Sequence, residues 1–75
     1  MMIFAPIPQT PAPFRIKRPS GEIVETTLLA VVAETPSRRV FDFIVRYGDT
    51  ETTTSELLRQ WGDSQIDLLD AEPYL

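Results

Sequence analysis

Asp63, Asp67, Asp70 and Glu72 fall within ten residues of one another and form the densest run of hard oxygen donors in the chain. Such a cluster could hold calcium or magnesium. An EF-hand loop does this with acids at alternate positions around a central glycine. Here Gln65 stands where the second ligand belongs and Asp67 comes four residues after Asp63, so the pattern fails and no metal site is expected. A second set, Arg15, Lys17 and Arg18 beside Phe14, could contact phosphates of a single strand, as small barrels do with basic grooves and aromatic platforms. A third pair, Trp61 and Tyr74, joins large rings to a polar atom near the acidic end of the chain, and residues of this kind anchor interfaces.

Catalysis has few candidates. The 75 residues include no histidine and no cysteine. A histidine base, a thiol nucleophile, a disulfide and a Cys/His zinc site are therefore excluded. A base would have to be a carboxylate or Lys17, and a nucleophile a serine or threonine hydroxyl with no Gly-x-Ser-x-Gly elbow around it. A carboxylate pair could cleave a glycoside only across a cleft of fixed width. Domains this small bury a modest core and have little room for a pocket of about 300 Å³. Gly21, Gly48 and Gly62 are isolated, so no glycine-rich phosphate cradle exists. The expectation is a protein that is not an enzyme and needs no cofactor.

Charge is unevenly spread. Residues 1–47 hold six basic and four acidic side chains, whereas residues 48–75 hold one basic and seven acidic ones. The net charge of -4 thus averages a mildly basic start and a strongly acidic end. A polarised domain can steer and orient a charged partner. Overall acidity counts against nucleic acid as that partner.

The elements that would position these residues read mainly as strands. Residues 5–13 carry four of the seven prolines, which lack a backbone donor and have a fixed φ. An extended, polyproline-like arm over residues 1–13 is expected, with a bare PxxP at Pro8 and Pro11, ahead of a single small β-rich domain over residues 14–75. Phe14 to Arg18 alternates apolar and basic, Pro19-Ser20-Gly21 makes a turn, and Glu22 to Glu25 begins the return strand. The apolar run Leu28 to Ala33 has no clean period of two. A bent strand with a bulge near Thr26-Thr27 is preferred over a helix across residues 22–34, because the β-branched residues favour a strand. Val40 to Tyr47 is the clearest strand, with Phe41, Phe43, Val45 and Tyr47 on one face and Phe41 and Phe43 assigned to the core. Gly48-Asp49 turns the chain into a threonine-rich strand, Thr50 to Thr53. The spacing of Thr53 and Glu56 predicts a capping box and a helix over Thr54–Trp61, stopped by Gly62, with Trp61 plugging the core. For residues 63–72 a strand over Gln65–Leu69 is preferred to a helix.

This pattern predicts a mainly β fold, a small five-stranded barrel or meander with one short helix near its C-terminal end, the alternative being α+β with residues 22–34 or 63–72 helical. Its element order is similar to that of SH3-like barrels. The function expected is a non-catalytic protein-interaction module that binds a protein partner or forms a homodimer by edge pairing, with Asp63, Asp67, Asp70, Trp61 and Tyr74 as its contact residues. One alternative is a small acidic inhibitor of a host enzyme, or a nucleic-acid mimic, of phage or mobile-element origin. Another is a weak single-stranded nucleic-acid-binding barrel using Arg15, Lys17 and Arg18. Met1 to Phe4 is too short for a signal-peptide core or a membrane span. A cytoplasmic protein without membrane contact is expected.

Overall fold

The computed structural model describes residues 3–75. Its elements are β1 (Ile3–Lys17), β2 (Ile23–Thr35), β3 (Val40–Tyr47), β4 (Thr50–Thr53), α1 (Thr54–Trp61) and β5 (Asp67–Leu68), followed by a short 3-10 turn over Glu72–Tyr74. The strands form one antiparallel sheet in the order β4-β3-β2-β1-β5. The mainly β expectation is met, and both helical alternatives give way to strand, residues 63–72 contributing only the two-residue β5. The barrel does not close among the described residues: β4 pairs only with β3, and β5 only with β1. No helix is long and apolar enough to cross a membrane.

One face of the sheet carries the core. Phe14 and Ile16 of β1, Leu28 and Val31 of β2, and Phe43 and Val45 of β3 are buried together with Leu57 of α1 and Ala71. Phe14 packs on Phe43 with ring centroids 4.9 Å apart. The hydroxyl of Thr26, on the same face as Phe14, donates to the Phe14 carbonyl at 2.6 Å, so its burial leaves no unpaired polar atom. Helix α1 starts where the sequence indicates: the Thr53 hydroxyl accepts from the Glu56 amide at 3.1 Å. The return half of the capping box is absent, because the Glu56 carboxylate turns to Arg59 instead. Gly62 ends the helix at φ 69°, a left-handed conformation that costs glycine little. Trp61 is only half-buried, at the rim of the core rather than its plug.

Residues 3–13 are extended, but they are not a free arm. They form the first part of β1 and pair with β2 from Ile3 opposite Thr35 to Pro8 opposite Ala30 and again from Ala12 opposite Leu28, with a register shift between Pro8 and Ala12. Prolines are compatible with this ladder because β1 is a sheet edge over that stretch, with β5 reaching only Ile16 and Lys17. The Arg15 amide and carbonyl face away from β2, toward Asp70 and Leu69. Pro13, two residues earlier, points its nitrogen the same way. Pro6 and Pro8 place both nitrogens on a single side of the strand, and pairing with β2 makes that the open side.

The prolines therefore remove donors from the open edge of β1, which obstructs pairing with another strand. Pro6→Thr with Pro8→Thr restores two outward amides. That double variant is expected to keep its far-UV spectrum and to self-associate with rising concentration in size-exclusion light scattering. A variant as monodisperse as the parent would show that the prolines do not guard this edge.

Three further expectations are corrected by the structure. The slip in β2 is at Leu29, not at Thr26-Thr27: Leu28 opposes Val45 and Ala30 opposes Ile44, leaving Leu29 without a partner on β3. Phe41 is likewise skipped, since Val32 opposes Asp42 and Ala33 opposes Val40. The bulge takes Phe41 out of the core, and it is 44% exposed. Tyr47, also expected on the core face, is 41% exposed.

Candidate interaction surface

The residues singled out by charge meet each other. The Arg15 guanidinium grips Asp70 through two parallel bonds of 3.0 and 2.9 Å, and the Arg15 amide donates to the same carboxylate at 2.9 Å. Arg18 grips Asp63 at 2.8 and 3.2 Å and also reaches Glu22 at 3.1 Å. Its guanidinium lies 5.0 Å from the centre of the Trp61 ring, which makes a T-shaped contact with Tyr47. These pairs draw the C-terminal segment onto β1 and cancel much of the charge separation written in the sequence. Asp67 and Lys17 are opposite one another in the β1–β5 register without an ion pair. Tyr74 packs its ring against Phe43. No three acidic side chains converge among the described residues.

The pairing leaves a signature in acid. The Arg15 guanidinium, with the Arg15 amide, holds the Asp70 carboxyl down to about 2, and Arg18 lowers Asp63. For Asp42, burial pushes upward, but hydrogen bonds from Thr54, Ser55 and Phe43 outweigh it and leave the group below its ordinary value. A depressed folded-state pKa stabilises the fold above the unfolded value of about 3.9. That contribution is lost as pH falls through the folded value. Asp70→Asn should therefore flatten the dependence of the thermal midpoint on pH between about pH 4 and pH 2. Curves that run parallel for the variant and the parent would refute this linkage.

The face opposite the core divides into two halves at the bulge. On the side of the β1–β2 turn, Arg15 opposes Glu25, and Pro13, Thr27, Arg46 and Glu51 make one cross-strand row, with Lys17 beside Ile23. This half is mostly polar. Beyond the bulge, Pro8, Ala30 and Ile44 form one row and Pro6 and Val32 the next, ending at Asp42. Phe4 follows, opposite Glu34, and its ring meets the Phe41 ring edge-on at 4.6 Å. Phe4 is 49% exposed, and the Arg39 guanidinium lies 5.3 Å from the centre of the Phe41 ring. Cross-strand partners share a face of the sheet. Phe4, Pro6, Pro8, Val32, Phe41 and Ile44 thus line an apolar outer face, with Ala30, only 7% exposed, flanked by Pro8 and Ile44; α1 and the C-terminal turn pack on the core side.

The physical origin of this surface is visible in β2. Val24, Thr26 and Leu28 face the core. The extra residue at Leu29 shifts the phase, so Val31 and Ala33 take over the inner face and Ala30 and Val32 turn outward. Both faces of β2 are apolar past the bulge, and so are both faces of β1 from Ile3 to Pro8. Continuous apolar runs of this kind belong to strands covered on both sides, whereas an antiparallel sheet with one wet face alternates. The sequence reading missed the surface, although the unbroken Leu28–Ala33 run was its signal. Compared with known proteins, the chain matches no family model, no curated protein and no solved structure.

Proposed function

We propose that this chain is a non-catalytic protein-interaction module, and that it docks through the apolar half of its outer sheet face. The observation that supports this reading is the two-sided apolar character of β1 and β2 beyond the bulge, where Phe4 and Phe41 stand about half exposed on the uncovered side. Contiguous exposed apolar surface on a small domain marks an interaction site. Aromatic rings at its centre with an arginine at the margin are the composition of an interface. The finer comparison with an SH3-like barrel rests on element order, with the helix between β4 and β5.

The Arg15–Asp70 and Arg18–Asp63 pairs redirect the choice of contact residues. Reversing the charge of Asp63 and Asp70 would break the attachment of the C-terminal segment, so loss of binding in such a variant reports on folding. The test compares Phe4→Ser with Phe41→Ser against a charged-half control, Lys17→Glu with Arg46→Glu. Each is assayed for self-association by light scattering and for capture of partners from the native lysate. Loss in the aromatic variant alone supports docking through the apolar half. Loss in the charged-half control alone overturns it.

A further inference from the structure

The turn between β2 and β3 aims a cation at each face of the sheet. Arg39 covers Phe41 on the outer face, while Arg38 borders a groove on the core face. The groove is floored by Ile7, Val31, Ala33 and Val40 and walled by Pro73 and Tyr74, with Gln9 beside it. Arg38 has no ion-pair partner among the described residues. Its backbone sits at φ 61°, a left-handed conformation that a non-glycine residue adopts at a cost. The turn is held by the Arg38 amide donating to the Glu34 carbonyl at 2.6 Å and the Glu34 amide donating to the Arg39 carbonyl at 2.8 Å. The nearest carboxylate in the turn, Glu34, accepts from the Ser37 hydroxyl at 2.8 Å. A strained position occupied by a long cation, where glycine would fit freely, points to a use for the side chain.

We infer that this groove takes an apolar side chain of a partner peptide whose neighbouring residues are acidic, with Arg38 meeting the carboxylate. Charge complementarity selects the acidic neighbour. Size favours a side chain: the open groove measures about 260 Å³, less than the roughly 300–1,000 Å³ of sites for whole small molecules. Ile7, Val40, Pro73 and Tyr74 supply the apolar contact above the buried Val31 and Ala33, and the charge at the mouth fixes the direction in which the peptide lies. The site is on the face opposite Phe4 and Phe41, so it is independent of the docking surface proposed above.

The test uses fluorescein-labelled synthetic peptides in which Leu or Phe precedes two Asp residues, and the same peptides with Lys in place of Asp, read by fluorescence anisotropy. The Asp peptides are expected to bind at least about tenfold more tightly than the Lys peptides. Arg38→Glu should abolish that preference. Arg38→Gly should lose the binding too, yet keep its thermal midpoint within a few degrees, because glycine accepts the left-handed turn. Phe4→Ser with Phe41→Ser should bind the peptides as the parent does, which separates this site from the outer face. Equal affinity for both peptide charges, no binding up to millimolar concentration, or parental affinity in Arg38→Gly would each overturn the proposal.

Discussion

Phe14→Ala is expected to leave the domain close to its unfolding limit at 37 °C. Phe14 is 0% exposed and is packed against Phe43. Truncating a buried phenylalanine costs about 3–5 kcal/mol, because the transfer energy is lost and the cavity only partly collapses. A domain of this length has about 4–11 kcal/mol in all. The cavity would open at the junction of β1, β2 and β3, and among the described residues there is no second α-helix to move in and fill it. Urea unfolding followed by far-UV circular dichroism measures the loss. A shift of less than about 1 kcal/mol would show that the core is not organised around this ring.

Phe4→Ser combined with Phe41→Ser should lower affinity for the docking partner by about a hundredfold or more, with little change in the fold. Buried aromatic anchors at interface centres contribute at least about 2 kcal/mol each on truncation, and the two rings touch, so their effects are not additive. In the free domain they are about half exposed and contribute mainly their edge-on contact, worth about 0.5–1.5 kcal/mol. The asymmetry between a large binding loss and a small stability loss distinguishes a docking surface from a core extension. Titration calorimetry against the captured partner, beside thermal unfolding of the free variant, gives both numbers. An affinity within threefold of the parent would remove Phe4 and Phe41 from the interface.

Local signals carried much of the fold. Val40–Tyr47 alternates, Thr53 and Gly62 bracket α1, and Pro19-Ser20-Gly21 turns β1 into β2, each through chemistry contained within a few residues. The apolar outer face was less legible. Phe41 is an apolar residue in an alternating strand, and only the bulge that skips it in the pairing of β3 with β2 reveals that it leaves the core. The prolines of residues 5–13 exclude helix and central strand, yet they do not distinguish a free arm from a sheet edge, because both spare the missing donors.

The absence of histidine and cysteine was decided by the sequence alone, and it limits the chemistry of every site on this chain. The run of charge from basic to acidic was also written there, but its meaning was not. Pairing between β1 and the segment after α1 brings Arg15 to Asp70 and Arg18 to Asp63, partners 55 and 45 positions apart in the sequence. Opposite charges distant in sequence become neighbours once the meander folds back, and what looked like polarity becomes attachment. The apolar outer face, the proline-blocked edge and the cation at each side of the β2–β3 turn are likewise products of register. One extra residue in a strand reassigns every side chain beyond it, and that shift is settled by cross-strand packing rather than by any residue's own preference.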